Sequence, residues 1–354
     1  MQEPSAMKSA GTLCDYPFSE DTKVLDMCAA PGGKTGQVAA YMQGRGIIVS
    51  NEIVTQRAAE LAKNVERLGI TNAVITNSHP EKIAQHLPQY FDIVIVDAPC
   101  SGEGMFRKNP AAVTEWSPEH VKSCAARQEA ILDTAAKCVK KGGIIVYSTC
   151  TFSEQENELT TRKFAKEHDF DIVESERLYP HKCCGEGHFV CVMKCNSDTT
   201  VKNGKKDNIK SDYSVCKDKM YNEFIKDTFV TPPAMTAYMN DSGKVILANE
   251  EMLRIAKCLQ AKSCGVHVGY VKNFFDPSHT LFMASGIGAF RLQADFECTS
   301  DKINAFLHGE SIESPFDEKE KGYCLVSCNG LPIGFAKVVD GMLKNKLPKG
   351  LRVM

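Results

Sequence analysis

Asp26-Met27-Cys28-Ala29-Ala30-Pro31-Gly32-Gly33-Lys34-Thr35 follows directly on the apolar residues Val24 and Leu25. An apolar run that ends in small residues and a glycine pair and then enters a helical pattern reads as a strand-to-helix turn. Such a turn lets backbone approach a ligand at the carboxyl edge of an α/β sheet. The stretch closes like a phosphate loop, Gly33-Lys34-Thr35, but the first glycine of that pattern would stand at position 28, which is Cys28. This argues against a nucleotide triphosphatase. The G-x-G-x-x-G of a dinucleotide site is also missing, so a nicotinamide oxidoreductase is disfavoured. Glu52, at the end of the next apolar run, is placed to bind a ribose diol, and a carboxylate there suits any adenosyl cofactor.

Outward from this turn, short apolar runs at 24–27, 47–50, 74–76, 93–96, 144–147 and 189–193 alternate with amphipathic stretches. That alternation predicts a parallel sheet wrapped by helices. One helix is expected over 57–68, where Ala58, Leu61, Ala62, Val65 and Leu68 share a face, with Gly69 ending it. Residues 196–212 carry one Val and one Ile among polar and charged side chains and read as a flexible connection. The expected division is a ligand-binding domain at 1–195, a linker at 196–212 and a second domain at 213–354. In the latter, a strand at 245–248 and a helix at 250–262 precede a hairpin. Its strands at 323–327 and 333–339 flank Asn329-Gly330, and Asp340-Gly341 supplies a second turn. This is a small mixed α/β domain.

Two further constellations end strands of the first domain. Asp97-Ala98-Pro99-Cys100 follows the run 91–96, and Ser148-Thr149-Cys150 follows 144–147. Ends of adjacent parallel strands face one crevice, so Asp97, Cys100 and Cys150 are expected to meet the glycine turn there. A free cysteine is ordinarily a small buried hydrophobe. Two at strand ends beside an adenosyl-type turn point instead to nucleophilic chemistry.

At these motifs the chain resembles the Sun-family RNA cytosine-C5 methyltransferases, which use S-adenosylmethionine. The likeness also takes in Gln2-Glu3-Pro4-Ser5-Ala6-Met7, Ser101-Gly102-Glu103-Gly104, Thr151 and Gly185-Glu186-Gly187-His188-Phe189. In the second half, Asp276-Pro277-Ser278-His279, Gly334-Phe335-Ala336-Lys337-Val338-Val339-Asp340-Gly341, Lys344-Asn345 and Pro348-Lys349-Gly350-Leu351-Arg352 resemble the C-terminal domain of bacterial 16S rRNA methyltransferases of the F type. The resemblance implies a Rossmann-like class I S-adenosylmethionine-dependent sheet followed by a smaller PUA-like α/β RNA-binding domain. It also implies roles: Cys28, Ala29, Ala30, Pro31, Gly32, Gly33, Lys34 and Glu52 hold S-adenosylmethionine, and Cys150 is the nucleophile. Cys100 assists product release, and Asp97 contacts both cofactor and cytosine. The family usually carries a further region ahead of Gln2-Glu3-Pro4-Ser5, so the resemblance implies a shortened form. The family's third cofactor motif often offers an acid to adenine; this chain has Thr76-Asn77-Ser78-His79-Pro80, which moves that contact to backbone or to Asn77.

The chemistry calls for these residue types. A thiolate adding at cytosine C6 breaks the conjugation and leaves electron density on C5, which then attacks a methyl sulfonium. A free thiol of pKa about 8.5 is little ionised at neutral pH, so nearby positive charge is needed, and Lys34 and the sulfonium are the candidates. Asp97 would hydrogen bond the N3 and N4 edge of cytosine, and Cys100 would serve removal of the C5 proton. The base must be unstacked to enter, which favours loops and ends of RNA. Small-subunit rRNA is the expected substrate, with tRNA second; a non-catalytic RNA-binding assembly factor is the reading from another class.

Composition sets outer bounds. The 354 residues allow one very large or two ordinary domains at roughly 150 residues each. With 42 basic and 44 acidic side chains the net charge is −2, so RNA contact must come from a local patch. Such a patch is Lys337, Lys344, Lys346, Lys349 and Arg352 against Asp340 alone, a local +4 suited to phosphates. No apolar run approaches the roughly 20 residues of a membrane span, and the first residues lack a signal-peptide core, which predicts a cytoplasmic protein. The 16 cysteines are too sparse for a disulfide scaffold. His181, Cys183, Cys184, His188, Cys191 and Cys195 crowd together without a C-x-x-C pair, and a structural strand is expected there rather than a metal site. Nothing in the sequence sets an oligomeric state.

Overall fold

The computed structural model describes residues 2–197 and 211–353, so most of the expected connection at 196–212 lies outside the described residues. The described residues pack as two compact units, one of residues 2–65, 72–197 and 254–263, the other of residues 66–71, 211–253 and 264–353.

The first unit is built on β1 (Lys23–Asp26), β2 (Ile47–Asn51), β3 (Ala73–Thr76), β4 (Phe91–Asp97), β5 (Val139–Thr149), β6 (Phe170–Leu178) and β7 (His188–Cys195). They run in the order β3-β2-β1-β4-β5-β7-β6, with the short strand Ser263–Cys264 beside β3. The first five strands pair in parallel, and β7 is antiparallel to both β5 and β6. Every residue of β2 and β3 is buried, because helices cover both faces of a parallel sheet. Those helices are α1 (Met7–Gly11), α2 (Gly33–Met42), α3 (Thr55–Arg67), α4 (Pro80–His86), α5 (Pro110–Glu115), α6 (Pro118–Cys138) and α7 (Thr160–His168). Ser117 caps α6 on the His120 N–H with Pro118 in the first turn, and α3 buries Ala58, Leu61 and Val65 as its spacing predicts.

Each expected strand of this unit falls on an observed one. β5 starts earlier than expected because an irregular stretch around Gly142 and Gly143 lies between Val139 and Ile144, while the partner strand advances only from Phe91 to Ile93. Strand β6 has no counterpart among the expected ones. It is an edge strand, mostly exposed along its length, and so has no apolar run to announce it. Strand order reverses between β1 and β4, and the loops after them open at the switch point where such sheets bind ligands.

The second unit carries two five-stranded sheets. Its phenylalanine core includes Phe282 stacked between Phe290 at 5.0 Å and Phe335 at 4.1 Å. The expected strand at 245–248 is Lys244–Leu247, and the helix after it, Glu250–Leu259, whose residues from 254 on belong to the first unit, stops short of residue 262 because Gln260 takes a positive φ of 54°. Strand Gly322–Cys328 turns through Asn329 (φ 48°) and Gly330 (φ 77°) into Leu331–Val339. Consecutive left-handed residues are what a two-residue hairpin of this hand requires. Asp340-Gly341 then turns the chain into Met342–Asn345. Among the described residues no helix is long and apolar enough to cross a membrane.

Candidate active site

The turn after β1 is held from below: Met27 N–H donates to Ile95 O (2.9 Å) and Ala29 N–H to Asn51 O (2.8 Å). Gly32 has φ 106°, and a Cβ there would also stand 3.0 Å from the Leu61 side chain, so the position demands glycine on both counts. Glu52, only 3% exposed, accepts from Val54 N–H at 2.9 Å and lies 3.3 Å from the Arg57 guanidinium. Arg57 also donates to Ala30 O (2.9 Å), which ties the carboxylate to the turn. Burial pushes the Cys28 thiol up, so it stays neutral. Asp26 is fully buried: one oxygen accepts from Thr35 Oγ1 at 2.7 Å and Oδ1 has no partner. Burial raises its carboxyl to about 7 against the Thr35 bond. A backbone cradle, a carboxylate suited to a diol and an unpartnered acceptor together fit an adenosyl amino acid.

Asn77 departs from expectation. Its amide donates to Glu52 O (2.7 Å) and Ile53 O (2.8 Å), and its Oδ1 accepts from Thr55 Oγ1 (2.9 Å). With both N–H bonds used to brace the turn after Glu52, no donor is left for adenine.

The other wall of the crevice brings four expected residues together. Lys34, buried in α2, reaches Asp97 Oδ2 at 2.7 Å, and Ser148 Oγ donates to Asp97 Oδ1 at 2.8 Å. Burial favours the neutral acid, but Lys34 and Ser148 outweigh it and hold the Asp97 carboxyl below its usual range. Cys100 Sγ and Cys150 Sγ are 3.2 Å apart, and the Cys150 N–H points to Cys100 Sγ at 3.3 Å. The hydrogen bond from Cys100 lowers the Cys150 thiol pKa, with Lys34 adding to it against burial. The same bond, then burial, pushes Cys100 well above the usual thiol value. The two thiols are thereby set apart, Cys150 as the more acidic and Cys100 as the less acidic of the pair.

Sequence reasoning missed the residues behind this pair. Glu156, fully buried, accepts from Ser101 N–H (2.9 Å), Ser101 Oγ and Gln128 Nε2 (2.9 Å), while Tyr147 OH donates to its backbone carbonyl (2.7 Å). It anchors the residue after Cys100 to the segment after Cys150. Glu103 accepts from Phe152 N–H (2.9 Å) and Thr151 Oγ1 (3.1 Å), which closes the same loop pair from outside. In sequence, Glu154-Gln155-Glu156-Asn157-Glu158 looks like a solvated acidic turn, and no local signal sets Glu156 apart. His188 is buried with Nε2 unpartnered, 3.8 Å from Asp97 Oδ1, and burial pushes it down to about 4, so the ring is neutral. Glu3 accepts from Glu186 N–H (2.8 Å) and Ser5 Oγ from Gly187 N–H (3.2 Å), so the Glu3-Pro4-Ser5 segment clamps the loop before β7.

Cys191 and Cys195 lie on β7, which is buried at every position except Lys194. Among the described residues no group of metal-holding side chains assembles. In the second unit Lys337 and Lys344 pair across adjacent strands, and Lys344, Lys346 and Lys349 are exposed.

Residues 16–194 match the family of 16S rRNA methyltransferase RsmB/F, and residues 293–353 match the methyltransferase RsmF PUA domain. Ribosomal RNA small subunit methyltransferase F of Shewanella piezotolerans is 31% identical over 99% of this chain and 78% of that protein. The protein of the same name from Aeromonas salmonicida is 30% identical over the same shares. Among solved structures, the crystal structure of PH0851 is 28% identical, with a TM-score of 0.52 over 55% of this chain and 46% of that one. The switch-point crevice, the paired cysteines and a match across nearly the whole length agree: the chain belongs to the RsmB/F family of 16S rRNA methyltransferases.

Proposed function

We propose that this chain methylates C5 of a cytosine in 16S rRNA, with S-adenosylmethionine as donor and Cys150 as nucleophile. The observation that carries the reading is the 3.2 Å contact between Cys100 and Cys150, beside the Lys34–Asp97 pair and next to an adenosyl-type turn. Cys28, Ala29, Ala30, Pro31, Gly32, Gly33, Lys34 and Glu52 would hold the cofactor, which supplies an electrophilic methyl group when bound. The ionised Asp97 would accept from the exocyclic amine of cytosine, a donor that uracil lacks. The Cys150 thiolate forms the S–C6 bond as the C5–C6 π electrons move toward C5.

Once Cys150 is a thioether, Cys100 has lost both the acceptor and the neighbouring negative charge that held its thiol up, so it can release its proton to solvent. As a thiolate it takes the C5 proton, directly or through water. The C5–H electrons re-form the double bond and Cys150 leaves as the thiolate. The Glu156 bonds to Ser101 and Gln128 hold the two cysteine loops in place for both steps.

Residues 1–195 would form the methyltransferase domain, 196–212 a linker and 213–354 the RNA-binding domain, with the chain acting in the cytoplasm. The relatives named for the small ribosomal subunit support rRNA over tRNA as substrate.

Wild type, Cys150→Ala and Cys100→Ala are each incubated with labelled S-adenosylmethionine and separate rRNA and tRNA pools. Cys150→Ala should give neither product nor covalent adduct. Cys100→Ala should accumulate a nuclease-sensitive slow band on a denaturing gel, because release is impaired. The reverse pattern reassigns the nucleophile to Cys100, and label in tRNA alone overturns the substrate.

A further inference from the structure

The second unit carries an open pocket of about 190 Å³, lined by Asp276, His279, Tyr323, Phe335, Lys346 and two prolines. The methyltransfer reaction makes no use of it. His279 is 8% exposed, and its Nδ1 is buried with no hydrogen-bond partner. Burial pushes the ring down to about 4, so it is a neutral wall. Phe335 is rigid, stacked on Phe282 at 4.1 Å.

Lys346 supplies the cation of the lining, and strand register sets further lysines on the same sheet face. Tyr323 pairs with Lys337 and Lys337 with Lys344, so one row across three strands sends these side chains from one face. Phe335, two residues before Lys337, shares that face, and Lys346, two after Lys344, follows on the same side. Lys337 Nζ hangs 5.9 Å from the Tyr323 ring centroid. Lysines facing one another across a pair repel, a strain that an anion between them relieves. The lining also holds the exposed carboxylate of Asp276, with the Lys272 ammonium 4.0 Å away.

Aromatic rings, Lys346 and an acceptor carboxylate in one lining suit a flat ring that carries adjacent N–H donors and a phosphate. Among nucleobases only guanine offers a ring N–H beside an exocyclic amine, which a carboxylate can accept in a bidentate manner. We propose that this cavity takes an unstacked guanine nucleotide of single-stranded RNA, its phosphate on Lys346 and its donor edge on Asp276. The proposal rests on the reading of the chain as an RNA methyltransferase and adds a second point of grip remote in sequence from Cys150. Stacking of one base on an aromatic side chain helps to hold an RNA strand in register.

The test uses the full chain. Equilibrium dialysis with GMP, AMP, CMP and UMP should show GMP bound at least tenfold more tightly than the others. Asp276→Asn should lose that preference, whereas Lys346→Gln should weaken all four alike and flatten the salt dependence. A short single-stranded RNA with one guanine should displace GMP, and the same RNA with adenine in its place should not. Equal binding of all four nucleotides, or GMP affinity unchanged in Asp276→Asn, overturns the pocket. GMP binding that no RNA displaces overturns the RNA assignment in favour of a free nucleotide. Methyl transfer to 16S rRNA is measured in parallel on wild type: its loss with GMP binding intact counts against the catalytic reading, and its persistence without GMP binding counts against the pocket alone.

Discussion

Replacing Cys100 by alanine removes the group that does most to lower the Cys150 thiol pKa. The hydrogen bond from Cys100, across 3.2 Å, is the largest influence lowering the Cys150 thiol, while burial and the nearby Asp97 charge work against it. A hydrogen bond to a charged acceptor contributes about 2 kcal/mol, and at 1.36 kcal/mol per factor of ten its loss reduces the thiolate population at neutral pH roughly 30-fold. A more basic thiolate is also the better nucleophile, with a Brønsted slope of about 0.4–0.5, so the alkylation rate should fall only about sixfold. Iodoacetamide modification of cofactor-free protein, followed across pH and resolved by mass spectrometry of the Cys150 peptide, measures this. The midpoint should move to higher pH in Cys100→Ala and stay near wild type in Cys100→Ser, whose hydroxyl still donates. The midpoint is the readout, because alanine also opens space and would raise access at every pH. A Cys100→Ala midpoint at or below that of wild type would refute the assignment of Cys100 as donor.

Three other outcomes arise from the geometry. Glu156→Ala leaves the Ser101 N–H and one of the two Gln128 amide N–H bonds without an acceptor, the other remaining on Pro99 O, and should lower stability by about 3 kcal/mol in urea titration; a change under about 1 kcal/mol would show that the hub is dispensable. Glu52→Ala removes the carboxylate placed for the ribose and should weaken S-adenosylmethionine binding on the order of 100-fold by calorimetry, two charged hydrogen bonds being at stake, with unchanged affinity counting against the assignment. The Asp26 carboxyl sits at about 7 when folded, against 3.8 as the ordinary value, so the folded chain keeps a proton that the unfolded chain has released. Its contribution to stability is therefore present below about pH 4 and declines as pH rises to about 7; Asp26→Asn should lose that decline in thermal melts of cofactor-free protein, and curves parallel to wild type would contradict it.

The sequence alone determined the central parallel strands and which residues stand at their carboxyl ends. Residues 24–27, 47–50, 74–76 and 93–96 are buried on both faces, so they stand out as apolar runs, and the residues just after each run must lie at one edge of a parallel sheet. That logic places Cys28, Glu52, Asp97, Cys100 and Cys150 without coordinates. Asn329-Gly330 was equally legible, because its turn needs two positive φ values and few residue pairs supply them. The tertiary structure alone decided which polar groups meet. Burial of Glu156, the 2.7 Å reach of Lys34 to Asp97, and the use of Asn77 as a brace instead of an adenine contact depend on residues from separate elements. The exposed edge strand Phe170–Leu178 escaped for the related reason that only its pairing partner orders it. Apolar periodicity is written locally because burial acts on each residue in turn, whereas a hydrogen bond or a shifted thiol needs a partner that folding brings from far along the chain.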